Sequence, residues 1–351
     1  MFETVNEYQS VALVGLFGGL LLGLAARLGR FCTLGAIEDV LYGGSDLRLR
    51  MWGIAIGSAV LGSFALMQGD WIAAETTYYL SIRWMPVASV LGGLIFGYGM
   101  ALCGNCGYGA LARLGGGDLR SFVIVLVMGV STFIVLSGPL APLRAALFPQ
   151  EPVTGTAPGI AHWLAARTGL GATVPGMAIG AVILLVSVAS RGIWAKPAMI
   201  FWGLVVGLAI VTGWAGTAWV AATGFEDLPV VSHSFAAPLG ESLLWFMTGS
   251  ARPLSFATGS VAGVLAGAFV GSLIKGHFRW EACEDPRELK RQILGAAMMG
   301  AGAVLALGCS IGQGLAAFSV LAFSAPVTFM AILAGAAIGL RQLIEGFQPA
   351  E

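Results

Sequence analysis

Nine stretches of this chain are each apolar for long enough to cross about 30 Å of hydrocarbon. They fall at roughly 10–29, 51–68, 84–102, 120–138, 174–190, 197–213, 254–274, 292–307 and 325–340. A chain that repeats such runs cannot leave them in water. In a bilayer, its backbone polar groups must be satisfied within helices or a closed barrel. The length of the runs predicts helices, and so an all-α polytopic membrane protein forming a single transmembrane domain over 1–351. Only 10% of the residues are charged, against 57% hydrophobic, too little charge to cover a soluble surface. The first segment has Glu3 and Glu7 and no lysine or arginine before it, which predicts a retained helix rather than a cleaved signal.

Shorter apolar pieces lie between the spans, at 32–42, 105–114, 214–223, 234–248 and 310–322. They are too short to cross and are predicted to be re-entrant half-helices, which are tolerated where protein or a water-filled cavity covers them. Nine crossings with the N-terminus outside place fourteen lysines and arginines at the inner ends and four at the outer ones. That asymmetry predicts a C-terminus in the cytoplasm and a multi-pass protein of the bacterial inner membrane. Zero net charge gives no global field for nucleic acid.

The two halves echo one another. Gly19, Gly23, Leu24, Ala25 and Gly29 recur 184 residues later as Gly203, Gly207, Leu208, Ala209 and Gly213. Gly97, Ala101, Leu102, Gly107 and Gly109 recur 205 residues later as Gly302, Ala306, Leu307, Gly312 and Gly314. With one odd helix between them the halves run in opposite directions. The expected organisation is repeat 1 over 10–140, a linking helix at 174–190 and repeat 2 over 197–341. Inverted repeats with broken helices are the build of transporters, with the substrate site at the repeat interface.

Three glycine-rich breaks carry cysteine: Gly29-Arg30-Phe31-Cys32-Thr33-Leu34-Gly35, Cys103-Gly104-Asn105-Cys106-Gly107-Tyr108-Gly109 and Gly308-Cys309-Ser310-Ile311-Gly312-Gln313-Gly314. A fourth equivalent place, Gly213–Thr217, has Gly216 where the cysteine would fall. A half-helix opening at such a break points free N–H groups and a positive dipole end into the site, which suits an anion. A protonated thiol adds a weak donor that fits a soft sulfur, and weak, multiple contacts permit release.

These three breaks on a nine-span, glycine-rich chain resemble the YeeE/YedE family of sulfur-compound permeases over nearly the whole length. The resemblance implies an hourglass-like fold, thiosulfate uptake, and a line of cysteines that pass the anion through S–H contacts. It makes Cys32, Cys103 and Cys309 the relay thiols, Cys103 the one expected to be essential and Cys106 its helper. Gly104, Gly107, Gly308 and Gly312 shape the path. A cytoplasmic sulfurtransferase or sulfur carrier, TusA-like, is the implied partner. Neither enzyme chemistry nor any cofactor or metal is expected.

Other readings stay open. A membrane cysteine is often a small buried hydrophobe, and a CxxC can be a redox pair or half a zinc site. A membrane thiol enzyme could form a persulfide on Cys103, although no histidine or lysine lies in that segment to activate it. Selenium or other sulfur compounds are alternative cargoes. Arg30 is expected to pair with Glu38 and Asp39, the alternative being that it attracts the anion. The three histidines, His162, His233 and His277, fall in predicted loops and suggest neither a metal cluster nor a proton relay. Trp52, Trp84, Trp194 and Trp280 are expected at the membrane interface, and Cys283, in the charged loop 275–291, belongs to no motif.

Overall fold

The computed structural model describes residues 6–153, 155–282 and 285–346, so Cys283 lies outside the described residues. The first half runs α1 (Glu7–Leu28), α2 (Thr33–Leu41), α3 (Leu47–Gln68), α4 (Tyr78–Ser81), α5 (Pro86–Cys103), α6 (Gly107–Gly115), α7 (Leu119–Leu136), α8 (Ala141–Leu147) and α9 (Ile160–Thr168). Then come α10 (Thr173–Val188), α11 (Arg191–Trp194), α12 (Pro197–Thr223), α13 (Ala237–Thr248), α14 (Phe256–Ile274) and α15 (Pro286–Leu305). A π-helical turn over Gly312–Ala317 and α16 (Ser324–Glu345) close the described chain. Among the described residues, β structure is limited to isolated bridges.

The protein is an all-α polytopic membrane protein. Seven of the described helices are long and apolar enough to cross a bilayer. The other two expected spans are α10, 16 residues long, and α15, whose first two turns carry Arg287, Glu288, Lys290 and Arg291. Large side chains such as Phe17, Leu185, Val186 and Phe246 point outward, which in a bilayer is the lipid-facing surface.

Close backbone approach holds the bundle together, and the glycines make it possible. A Cβ placed on Gly15, Gly19 or Gly23 of α1 would lie 2.3 Å from the carbonyl oxygens of Phe256, Ser260 and Val264 of α14. Reciprocally, a Cβ on Gly259, Gly263 or Gly267 would lie 1.9, 2.2 and 2.2 Å from the oxygens of Ala12, Leu16 and Leu20. Spacing of four residues puts each set on one helix face. The helices therefore touch along small residues, as membrane helices do when lipid offers no hydrophobic drive to associate. Similar contacts join α5 to α15 and α16, α7 to α15, and α3 to α12.

Residues 214–223 depart from the expected half-helix. The Gly213–Thr217 stretch is not a break, because α12 runs unbroken to Thr223. The reason is packing: a Cβ on Gly213 would meet Ser232 Oγ at 2.6 Å and one on Gly216 would meet Val14 Cγ1 at 2.3 Å. These glycines admit neighbours and do not turn the chain. The short helix that follows, α13, opens with Ala236 in the capping place.

Candidate anion site at three capped helix breaks

Each cysteine-bearing break is built the same way. A residue enters the left-handed region, and the cysteine two positions on caps a short helix. In the first break Arg30 has φ 57°, and the Cys32 sulfur accepts the Gly35 N–H at 3.5 Å. In the second Gly104 has φ 72°, and the Cys106 sulfur accepts the Gly109 N–H at 3.5 Å. In the third Leu307 has φ 56°, and the Cys309 sulfur accepts the Gly312 N–H at 3.4 Å. A left-handed backbone costs a residue with a side chain about 1–3 kcal/mol, so Arg30 and Leu307 are held there by their surroundings. The breaks are braced from nearby: Arg113 Nη2 donates to the Gly104 carbonyl at 3.1 Å, and Gln313 Nε2 to the Ala306 carbonyl at 2.8 Å.

The shared element is Cys-x-x-Gly. The capping sulfur satisfies one of the N–H groups that every helix start leaves free. The glycine at the third helical position keeps the approach clear, since a Cβ on Gly312 would meet Ser234 Oγ at 2.7 Å and the Tyr79 hydroxyl at 3.0 Å. Gly107, the first residue of α6, is likewise hemmed in by the Phe235 carbonyl, 2.5 Å from where its Cβ would be. Gly308 lies beside Gln313.

The fold brings three thiols toward one another. Cys106 is 1% exposed and lies within electrostatic reach of both Cys32 and Cys309, with Ser310 against it. Tyr108 faces Cys106 and Cys32, and its hydroxyl donates to the Leu22 carbonyl at 2.6 Å. Cys103 stands apart. Its S–H donates to the Gln292 carbonyl of α15 at 3.0 Å, and Arg291 is the charge nearest it. Of the CxxC pair, then, Cys106 caps a helix in the three-thiol line and Cys103 faces a neighbouring helix. Among the described residues no three His, Cys, Asp or Glu side chains gather closely enough to hold a metal ion.

A cavity of about 600 Å³ opens at the face where α1 begins and extends to residues adjoining Cys309. Tyr79, Trp214, Ser234, Trp245 and Gly308 are among its lining residues. Next to Ser234 and Gly308 lies Cys309, whose sulfur accepts the Phe235 N–H at 3.2 Å and faces the Ser234 hydroxyl at 3.7 Å. Trp214 is fixed by donating to Ser319 Oγ at 2.9 Å. At the far end of the line, Cys32 is partly exposed.

Several expectations are corrected by these contacts. Arg30 does not pair with Asp39, which instead binds Arg48 of α3 at 3.2 Å, because α3 packs on α2 while Arg30 turns the chain before α2 begins. Trp52 is no interface anchor: it is 2% exposed and stacks on Phe31 at 4.6 Å, next to the first break. His233 lies in a loop as expected but is fully buried, its Nδ1 2.7 Å from Ser260 Oγ, between α1 and α14, whereas His162 belongs to α9 and not to a loop. Tyr79, in α4, and Ser234 and Phe235, in the loop before α13, reach Cys309 from far off in sequence, and no local signal marked them.

Broken helices, capping thiols and an access cavity in an all-α polytopic bundle define a membrane transport protein. The chain belongs to the sulphur transport family, which matches residues 28–338. It is similar to the thiosulfate transporter TsuA of Spirochaeta thermophila, 26% identical over 329 residues that cover 88% of this chain and 92% of that one. It is also similar to the thiosulfate transporter TsuA of Escherichia coli, 26% identical over 334 residues, 87% of each chain.

Proposed function

We propose that this chain is an inner-membrane permease that takes up thiosulfate, passing the anion along Cys309, Cys106 and Cys32 without covalent chemistry. The observation that carries the reading is the repeated cap: three short helices, each opening on a thiol, with Cys106 near the other two. Helix starts supply positive potential without a fixed cation, and the thiols contact sulfur weakly enough to let it go. The names of the TsuA relatives support thiosulfate as the cargo.

An inverted repeat is part of the proposal, and the helix contacts support it. Let α1, α3, α5 and α7 correspond to α12, α14, α15 and α16, with α2 matching α13 and α6 matching the π-helical turn. The α1–α14 contact then maps onto α12–α3, and α5–α16 onto α15–α7. The contacts α6–α14 and α13–α7 map likewise onto those of the π-helical turn with α3 and of α2 with α16. In this scheme α10 is the linking helix of a nine-crossing, hourglass-like bundle. Arg27, Arg113, Arg120 and Lys275 gather on the face placed in the cytoplasm, whereas Glu7, Glu226 and Arg83 mark the opposite one.

A dianion entering a negative-inside cell works against about 4.6 kcal/mol per 100 mV. Net uptake therefore needs a coupling ion or a sink, and a cytoplasmic sulfurtransferase or TusA-like sulfur carrier would consume the product. Growth on thiosulfate as sole sulfur source, in cells lacking other importers, tests the reading at matched expression. Wild type and Cys283→Ala should grow, and Cys106→Ala should not. Failure of the wild type would remove thiosulfate as the cargo.

A further inference from the structure

Thiols suit the sulfur end of such an anion but make poor partners for its oxygens. Two buried hydroxyls beside them have no oxygen or nitrogen partner in the fold. Thr33 directly follows Cys32, is 1% exposed, and its Oγ1 has no hydrogen-bond partner. Ser310 directly follows Cys309 and is fully buried, and the one group against its hydroxyl is the Cys106 thiol, with no oxygen or nitrogen partner in the fold.

Several buried hydroxyls elsewhere in this chain bond their own helix. Thr132, Thr217, Ser242 and Ser272 donate to carbonyls four residues back at 2.7–2.8 Å. Ser63 and Thr328 are also without partners, but they sit inside helices, where that local carbonyl lies within reach of a rotamer change. Thr33 and Ser310 occupy the first helical turn, and the carbonyls four residues back belong to the break, outside the helix. A buried hydroxyl left this way is costly, and here two of them adjoin capping thiols.

We infer that Thr33 and Ser310 donate to the oxygen atoms of the transported anion while the capping thiols contact its terminal sulfur. The inference rests on the permease reading and deepens it. The site then selects an oxyanion with a terminal sulfur over hydrosulfide, which has no oxygen to accept.

Uptake of radiolabelled thiosulfate into proteoliposomes tests this with wild type, Thr33→Val, Ser310→Ala and Thr33→Ser. Thr33→Val and Ser310→Ala should raise KM about ten- to hundredfold, the span of one hydrogen bond to a charged group. Thr33→Ser, which keeps the hydroxyl, should stay close to wild type, and hydrosulfide at the same concentration should not compete. Wild-type KM in both hydroxyl-free variants overturns the inference, as does Thr33→Ser failing like Thr33→Val in monodisperse protein. Effective competition by hydrosulfide overturns it too. A wild type that moves no thiosulfate defeats the permease reading itself, a result distinct from these.

Discussion

Serine in place of Cys106 separates the two jobs the geometry gives that residue. As a cap, Cys106 accepts the Gly109 N–H at 3.5 Å through sulfur, a weak acceptor. Serine is among the best capping residues, and losing such a cap to alanine costs about 0.5–2 kcal/mol. The oxygen of Cys106→Ser can also meet the neighbouring Ser310 hydroxyl. Cys106→Ser should therefore be at least as stable as wild type. Cys106→Ala should lose about 1 kcal/mol and melt about 1–3 °C lower, the shift expected of a chain this long. As a ligand for soft sulfur, oxygen is no substitute, so both variants should lose thiosulfate uptake. Thermal unfolding in detergent and labelled uptake into proteoliposomes, measured on the same preparations, read the two effects. Wild-type uptake by Cys106→Ser would reduce the thiol to a cap and refute the cysteine path.

Three further outcomes follow from the packing and the turns. Gly263→Ala puts a carbon 2.2 Å from the Leu16 carbonyl; such contacts need about 3.3 Å, so α1 and α14 must part by roughly 1 Å. Unfolding measurements should show a loss of about 1–3 kcal/mol, whereas Gly171→Ala, whose nearest neighbour is 3.8 Å away, should melt like wild type. Gly104→Ala meets nothing but its own φ of 72° and should lose about 1 kcal/mol, with Gly104→Asn milder because asparagine tolerates that region. Burial lowers the pKa of His162, in α9. The unfolded chain then takes up a proton near pH 6.5 that the folded one resists, so melting temperature should fall as pH drops from 7 to 5, and less steeply in His162→Gln.

Seven of the spans and the three cysteine-bearing breaks were legible because apolar run length and glycine beside cysteine are local signals, whereas which thiols lie near one another was not. What sequence alone misread was the work each glycine does. Gly213 and Gly216 look like a break, yet they are flanked by Trp214 and Thr217, which bond within the bundle, and both glycines lie against Ser232 and Val14. Breaks differ in needing a residue in the left-handed region followed by a cap, and composition does not reveal φ. One distinction was present in the letters all the same. Cys32, Cys106 and Cys309 each have glycine three residues on, where its N–H can reach the capping sulfur; Cys103 has Cys106 there instead. Helix-start geometry therefore separates the two members of the CxxC pair. The first ends α5 with its thiol on the Gln292 carbonyl, and the second opens α6 with its sulfur in the line. If sulfur in that line moves the anion, Cys103→Ser should retain more uptake than Cys106→Ser at equal protein. The reverse order would assign transport to the thiol facing α15 and leave the repeated caps with a structural role alone.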